Sequence, residues 1–225
     1  LLALPWQGRI RLGSIEPGTI ERELVALMAD SPRICKFLHV AIQSGDDGIL
    51  ADMRRRYTAG TLAETLRDAL SRMPRLGLGA DLICGFPGET PEAFARTRAL
   101  VEAFPFSNLH VFPYSERPGT PAATFANPVP VHERKRRTHE LIELSQAKRA
   151  TFAQSFVGRP VTFLVEHVDE QGCAYGWSEE YLPCVVRGAT PPHVRTLCTF
   201  TPTSSGDEAL FGDWPTTAEA TARPG

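Results

Sequence analysis

Short apolar runs alternate with longer amphipathic segments through the first half of the chain. The apolar runs predict strands over residues 9–15, 37–42, 78–84 and 109–114. The amphipathic segments predict helices over residues 19–29, 46–56, 61–73 and 90–104, with Thr19 and Thr90 as N-caps and Pro91 at a first helical position. This alternation is typical of an α/β fold, in which crossover helices connect the strands of a parallel sheet.

The pattern changes at the sequence Asn-Pro-Val-Pro, which occupies residues 127–130. A long helix is predicted over residues 131–156, and the sequence Gly-Arg-Pro that follows ends it. Short strands are then predicted at 161–165, 174–177, 183–187, 196–201 and 209–212, with the turn spacing of a small all-β barrel. Residues 215–225 are small and polar and are predicted to be disordered.

The composition is that of an ordinary globular protein. The 225 residues are 42 % hydrophobic and 22 % charged, with a formal net charge of −2, which argues against wholesale disorder and against nucleic-acid binding through bulk charge. No apolar run approaches the roughly 18–20 residues of a membrane helix, so we expect no membrane partner. The opening residues lack a signal-peptide pattern, and the five cysteines are widely spaced without a C-x-x-C motif. These features predict a cytoplasmic protein with inert free thiols and no metal site.

Polar or glycine-rich turns follow the predicted strands of the first half, at the edge where parallel α/β folds bind ligands. Gln43 and Ser44 end the second strand, where they could bind a sugar or carboxylate group or could simply cap the turn. A glycine-containing turn of the same kind follows the third strand and consists of Gly85, Phe86, Pro87, Gly88 and Glu89. Such a turn lets the backbone approach a ligand closely, or is a plain strand-to-helix connection.

Two basic segments and a set of aromatic residues are candidates for contact with RNA, because arginines neutralise phosphates and aromatic rings stack on bases. The first basic segment contains Arg54, Arg55 and Arg56, the second contains Arg134, Arg136 and Arg137, and the aromatic residues are Tyr175, Trp177 and Tyr181. Basic runs are also typical of a solvated helix face, and aromatic residues of an ordinary barrel core. Sequence signatures of serine hydrolases, zinc proteases and P-loop enzymes are absent.

Four motifs, taken together and in this order, resemble those of the radical-SAM methylthiotransferases. They are RLGSIEP at 11–17, HVAIQSG at 39–45 with RRYT at 55–58, DLICGFPGET at 81–90, and YSERPGTPA at 114–122. Residues 158–213 resemble the TRAM domain, a small RNA-binding β-barrel that closes these enzymes. The resemblance covers nearly the whole chain except the tail.

The resemblance implies an α/β fold: the C-terminal part of a partial (βα)6 radical-SAM barrel over residues 1–127, with its strands three to six. A connecting helix over 128–157 and a TRAM barrel over 158–214 would follow. In this family a 4Fe-4S cluster cleaves S-adenosyl-L-methionine to a radical and an auxiliary cluster delivers sulfur. By resemblance, Gln43 and Ser44 face S-adenosylmethionine, and the turn of residues 85–89 lies near its adenine.

Within the family, LHVFPYS at 109–115 and EYL at 180–182 are most similar to one branch. That branch adds a methylthio group to C2 of N6-threonylcarbamoyladenosine at position 37, in the anticodon loop of tRNA. The sister branches act on isopentenyl-adenosine in tRNA or on an aspartate of a ribosomal protein, and both remain alternatives.

The cysteines depart from the family pattern. The family binds its radical cluster through C-x-x-x-C-x-x-C, which this sequence lacks, and thiolates are needed to hold such a cluster. We therefore expect this chain to be inactive alone, to have no assignable catalytic residue, and to need the missing N-terminal cluster-binding domains of the same protein. The first strand of the chain would then form an uncovered sheet edge. The alternative is a cluster-free RNA-binding protein.

Overall fold

The computed structural model of the chain describes residues 2–5, 8–206 and 209–215. Its strands are β1 (Ser14–Ile15), β2 (Phe37–Gln43), β3 (Gly77–Cys84), β4 (Phe106–Pro113), β5 (Val161–Val168), β6 (Cys173–Ser178), β7 (Pro183–Arg187), β8 (Leu197–Phe200), β9 (Ser204–Gly206) and β10 (Ala209–Asp213). Its α-helices are α1 (Arg22–Asp30), α2 (Asp47–Asp52), α3 (Ala59–Arg72), α4 (Pro91–Ala103) and α5 (Val131–Gln154). The tail predicted to be disordered lies outside the described residues except for Pro215.

The first half forms a parallel sheet of four strands in the order β1-β2-β3-β4, as the strand–helix alternation predicts. The middle strands β2 and β3 are apolar along most of their length, because helices and loops cover them. Their side chains form the core of this half, in which Leu38, Val40, Leu78 and Leu82 are fully buried. Because every strand runs in the same direction, the turns that follow β2, β3 and β4 lie at one edge of the sheet.

Two helix starts illustrate how local capping competes with the hydrophobic pattern. Thr90 caps α4 by accepting a hydrogen bond from the Ala93 amide, and Pro91 occupies the first helical position, as predicted. The cap predicted at Thr19 is wrong: its hydroxyl donates to the Glu16 carbonyl within a short 3-10 turn, and α1 begins only after Glu21. The predicted helix over 46–56 is also shorter, because α2 ends before residue 54, which adopts a left-handed backbone conformation.

The first predicted strand, 9–15, is mostly irregular. Within this segment, only the two residues of β1 pair with β2, and Ile10 makes an isolated parallel bridge with Ile34. The segment before β1 also makes contacts with the second half of the chain. The Arg11 guanidinium donates to the Ser178 carbonyl at 2.8 Å, and Arg9 forms an ion pair with Glu179. These contacts join the segment before β1 to the six-stranded sheet, and β1 stands at one end of the parallel sheet.

Helix α5 connects the two cores of the molecule. Leu141 in its middle is fully buried in the core of the parallel sheet, whereas Phe152 and Ala153 near its end belong to the second core. The second half forms a mixed sheet of six strands in the order β8-β5-β6-β7-β10-β9. Five of these strands are predicted from the sequence, and β9 is the one that the pattern misses. Among the described residues, no helix is both long and apolar enough to cross a membrane.

Candidate functional site

A cavity of about 740 Å³ lies at the carboxyl ends of the parallel strands, within the usual size range of small-molecule sites. We call it the strand-end cavity. It is lined by Gln43, Asp81, Ile83, Phe112, Pro113, Tyr114, Ser115, Arg117, Thr120 and Ala122. The lining comes from the ends of β2, β3 and β4 and from the polar segment that follows β4, which is the edge that the sequence pattern indicates for a ligand.

Gln43 is the predicted ligand-binding residue that lines this cavity. It ends β2 in a left-handed conformation with a φ of 64°, and the pairing of β2 with β3 is irregular between Val40 and Gln43. The Tyr57 hydroxyl donates to the carbonyl oxygens of Ala41 and Ile42, 2.8 and 2.9 Å away. This contact anchors the backbone immediately before Gln43, so a residue of the RRYT motif supports the position of the amide.

Ser44 is fully buried and is not among the residues that line the cavity. Its hydroxyl lies 3.2 Å from the Thr97 hydroxyl and accepts a hydrogen bond from the Asp46 amide. The Gly45 amide donates to the same threonine at 2.9 Å. These contacts connect the end of β2 to α4 and to the turn before α2, and the predicted contact of Ser44 with a ligand stays a prediction.

The turn that contains Gly85, Phe86, Pro87, Gly88 and Glu89 is absent from the cavity lining. It closes on itself, because the Glu89 carboxylate accepts a hydrogen bond of 2.7 Å from the Gly85 amide. Both glycines have positive φ angles, 78° and 85°, and Phe86 packs edge-on against Tyr114, a cavity residue, with 5.2 Å between ring centroids. The turn therefore supports the wall of the strand-end cavity from behind.

Arg134 and Arg137, two of the arginines predicted to contact RNA, are buried in the structure. They are only 5 % and 3 % exposed. Arg134 donates to the carbonyl oxygens of Val129 and Tyr114, and Arg137 donates to the Glu89 carboxylate at 2.6 Å. A run of basic residues on a helix is usually exposed to solvent. These two arginines are buried instead, because each guanidinium donates to carbonyl or carboxylate oxygens of loops that would otherwise lack a hydrogen-bond partner.

The remaining predicted arginines lie at the surface with different partners. Arg54 and Arg56 are exposed, whereas Arg55 forms an ion pair of 2.8 Å with Glu16. Arg136 is exposed and bonded to two carboxylates of its own helix, Glu133 and Glu140. The first basic segment therefore offers more unneutralised positive charge to a phosphate than the second does.

The predicted aromatic residues divide into two places. Tyr175 is 39 % exposed and donates its hydroxyl to Asp169. Trp177 and Tyr181 stack on one another with 4.4 Å between ring centroids, and the Arg11 guanidinium lies over the Tyr181 ring. With Arg9 they line a second cavity of about 330 Å³ between the segment before β1 and the six-stranded sheet.

Three polar side chains that the sequence pattern does not connect, His39, Asp81 and His110, meet on one face of the parallel sheet. Asp81 also lines the strand-end cavity. Asp81 Oδ1 is 2.9 Å from His39 Nε2 and 3.2 Å from His110 Nδ1, and its Oδ2 accepts from Ser14. Burial acts to raise the pKa of Asp81, but hydrogen bonds from His39, Ser14 and His110 hold it below its ordinary value. We call His39, Asp81 and His110 the His–Asp–His triad. The signal in the sequence was weak, because the three residues are far apart in the chain.

The cysteines do not fit an iron–sulfur cluster. Four of the five are buried, and burial raises the pKa of Cys84 and of Cys198 to about 12, so both remain thiols. Iron–sulfur clusters require thiolates that converge on one point. Within the part of the chain that the structure describes, the single grouping of three metal-binding side chains is the His–Asp–His triad, which contains no cysteine.

Comparison with known families gives one matching family model. Residues 7–101 match the Radical SAM superfamily. The described fold also resembles coproporphyrinogen III oxidase from Escherichia coli, a radical SAM enzyme, with a TM-score of 0.50 and 20 % identity over 62 % of this chain and 32 % of that one. At this level of identity the structural likeness concerns the fold, and it agrees with the predicted partial radical-SAM barrel.

Curated relatives extend the comparison beyond that domain. A threonylcarbamoyladenosine tRNA methylthiotransferase from Bacillus subtilis is 36 % identical over 184 residues, which are 80 % of this chain and 41 % of that protein. One from Rickettsia prowazekii is 40 % identical over 74 % of this chain and 39 % of its own length. A tRNA-2-methylthio-N(6)-dimethylallyladenosine synthase from Thermobifida fusca is 39 % identical over 70 % of this chain and 32 % of its own. The chain thus spans about two fifths or less of the length of these relatives.

Proposed function

We propose that the chain belongs to the radical SAM methylthiotransferase family and forms the C-terminal part of a tRNA-modifying enzyme. In support, residues 7–101 match the Radical SAM superfamily, and two threonylcarbamoyladenosine tRNA methylthiotransferases are 36 % and 40 % identical over 80 % and 74 % of the chain. The reaction would add a methylthio group to C2 of N6-threonylcarbamoyladenosine at position 37 of tRNA. The observation that carries this proposal is the strand-end cavity of about 740 Å³, which occupies the ligand-binding edge of a radical-SAM sheet. The threonylcarbamoyladenosine branch is favoured because relatives that bear this name align with 74–80 % of the chain, against 70 % for the dimethylallyladenosine synthase of Thermobifida fusca.

S-adenosyl-L-methionine is the cofactor that we assign to the strand-end cavity. Radical SAM enzymes use it as the source of a substrate-activating radical, together with a 4Fe-4S cluster. Gln43 would hydrogen-bond its polar groups, since a buried amide both donates and accepts. Ile83 and Phe112 provide an apolar wall on which an adenine ring could pack.

The cluster itself is assigned to a part of the enzyme outside these residues, because the buried thiols of this chain do not fit it. The N-terminal cluster-binding domains of the same protein are therefore a proposed partner, and the chain alone would be inactive.

The second proposed partner is the anticodon loop of tRNA, bound with the help of the six-stranded sheet acting as a TRAM domain. Arg54, Arg56 and the exposed Tyr175 offer phosphate and base contacts. We also propose a cytoplasmic location, because tRNA is the proposed substrate.

Two other functions have a specific observation in their favour. The dimethylallyladenosine synthase of Thermobifida fusca is 39 % identical to the chain, so isopentenyl-adenosine in tRNA is the second candidate substrate. The burial of the thiols favours a cluster-free RNA-binding protein as the other alternative.

The decisive experiment is to delete the gene from its host and to analyse the nucleosides of total tRNA by mass spectrometry. We expect 2-methylthio-N6-threonylcarbamoyladenosine to disappear and its precursor without the methylthio group to accumulate. A plasmid-borne copy of the gene should restore the methylthio derivative. Loss of the 2-methylthio derivative of isopentenyl-adenosine instead would transfer the function to the second branch. No change in either nucleoside would contradict both and would leave RNA binding as the leading function.

A separate experiment tests the cofactor assignment. Calorimetric titration of the purified chain with S-adenosylmethionine should show binding that weakens in Gln43→Asn. Asparagine tolerates the left-handed backbone of this position, so the variant shortens the side chain without new strain. The matched control is Gln171→Asn, in an exposed turn. Equal affinity of Gln43→Asn and the parent chain would remove Gln43 from the site.

A further inference from the structure

We propose that His39, Asp81 and His110 form a binding site for one divalent transition-metal ion on the face of the parallel sheet that borders the strand-end cavity. The inference rests on side-chain geometry alone. It does not depend on the methylthiolation proposal, and its failure would leave that proposal untouched.

The sheet itself fixes the relative positions of the triad. Each residue comes from a different strand of three neighbours, β2, β3 and β4, and Asp81 is the direct register partner of His110. Gly79 is the register partner of His39, and a Cβ atom at Gly79 would collide with the His39 ring. The ring of His39 thus occupies space that only a glycine on the neighbouring strand leaves free.

The distances within the triad suit a shared ion. The three ligand atoms all lie within 4.8 Å of one another, with 2.9 and 3.2 Å from Asp81 Oδ1 to the two imidazole nitrogens. Ligands at about 2.0–2.1 Å in a tetrahedral site are roughly 3.3 Å apart. Small side-chain rotations would therefore convert the hydrogen-bonded triad into three ligands of one metal ion.

Further polar groups hold the candidate ligands in place, as outer partners do in metal sites. The Ser14 hydroxyl donates to Oδ2 of Asp81 at 3.2 Å, which leaves Oδ1 facing the two rings. The side-chain amide of Asn108 lies 3.2 Å from Nε2 of His110, the ring nitrogen that does not face the triad. All four strands of the sheet consequently contribute a polar side chain to one layer.

The ligand set indicates which ions would bind. Two imidazoles and one carboxylate favour borderline ions such as Zn²⁺ and Fe²⁺ over Mg²⁺ and Ca²⁺, which prefer oxygen ligands. Three protein ligands leave a coordination position for water or for a donor atom of a bound ligand. Because Asp81 lines the strand-end cavity, that position would be reached from the cavity.

The test is titration of the metal-free, 225-residue chain with Zn²⁺ by calorimetry and with Co²⁺ by visible absorption. We expect one ion per chain and a cobalt spectrum without thiolate charge-transfer bands. His110→Gln should weaken binding at least about tenfold; its side chain is 52 % exposed, so the sheet should tolerate the replacement. His132→Gln, an exposed histidine at the start of α5, is the matched control and should bind like the parent chain.

Circular dichroism of each variant should verify that the fold is intact. Asp81→Asn provides a second variant that removes the central ligand and should also weaken binding. Absence of binding by the parent chain, unchanged affinity in folded His110→Gln, or thiolate bands in the cobalt spectrum would each overturn the proposal. The triad would then be a hydrogen-bonded network of the sheet and nothing more.

Discussion

Arg137 in α5 donates a hydrogen bond of 2.6 Å to Oε2 of Glu89, and both side chains are almost completely buried. The same oxygen accepts from the Gly85 amide at 2.7 Å. Burial raises the pKa of Glu89, while the Arg137 guanidinium and the Gly85 amide oppose this rise. The connecting helix thereby holds the turn that follows β3, and this turn supports the wall of the strand-end cavity.

Removing Arg137 should destabilise the fold strongly. Arg137→Ala leaves the buried Glu89 carboxylate without its cationic partner, which costs about 3–5 kcal/mol in comparable buried pairs. The control is Arg136→Ala, one residue away on the same helix, whose exposed pairs with Glu133 and Glu140 should contribute little. Urea denaturation followed by circular dichroism measures both. Equal midpoints for the two variants would contradict the structural role of Arg137.

Gly85 and Gly88 provide a second matched pair. Both have positive φ angles, so alanine at either position should strain the backbone by about 1 kcal/mol. A Cβ atom at Gly88 meets open space, whereas one at Gly85 would collide with the side chain of Arg134. We therefore expect Gly85→Ala to lower the melting temperature clearly more than Gly88→Ala does. Thermal unfolding of the two variants side by side measures the difference, and similar melting temperatures would mean that Arg134 moves aside at little cost.

The acid sensitivity of the fold should depend on Asp46, the N-cap of α2. Burial acts to raise its pKa, but the Ile49 amide and the Arg96 guanidinium, at 2.9 and 2.6 Å, hold it below its ordinary value. Because the folded-state pKa is depressed, the charged form stabilises the fold above the unfolded-state value of about 3.9, and this contribution disappears as the pH falls through the folded-state pKa.

Asp46→Asn isolates this effect, since asparagine also caps helices but carries no charge. The difference in unfolding free energy between parent and variant should be largest above about pH 5 and should shrink below about pH 4. The exposed Asp52→Asn serves as the control. A difference that stays constant from pH 7 to pH 3 would show that the carboxylate charge of Asp46 does not stabilise the fold.

The sequence was sufficient where structure depends on local patterns. The apolar runs that became β2 and β3 are buried on both faces, and the caps at Thr90 and Pro91 act within one helical turn. It was insufficient where distant residues decide the outcome. The stretch before β1 is held by contacts of Arg11 with Ser178, 167 positions away in the chain.

The candidate site divides in the same way. Gln43 could be identified because it ends an apolar strand, which marks the ligand-binding edge of a parallel sheet. The burial of Arg137 could not be predicted from the sequence, because its partner Glu89 is 48 positions away and a run of basic residues is usually exposed to solvent. The His–Asp–His triad escaped for a similar reason: His39, Asp81 and His110 meet only through strand register.

The exposed arginines allow a prediction about the salt dependence of RNA binding. This prediction rests on the proposed function. Exposed Arg54 and Arg56 can release counterions from phosphates, whereas Arg134 and Arg137 are enclosed. Each phosphate contact in a single-stranded loop contributes about 0.7 to the slope of log affinity against log salt. Replacing Arg54 and Arg56 together by glutamine should therefore reduce the magnitude of that slope and weaken binding of an anticodon stem-loop at low salt.

The matched control replaces two exposed arginines of other helices, Arg22 and Arg67, so that the net charge changes by the same amount. Fluorescence anisotropy with a labelled stem-loop at several salt concentrations gives both slopes. If the control lowers the slope as much as the Arg54 and Arg56 pair, the effect is one of net charge, and the first basic segment is not a phosphate contact. If only the Arg54 and Arg56 pair lowers it, the RNA lies against the end of α2, close in sequence to the Gln43 turn that opens onto the strand-end cavity.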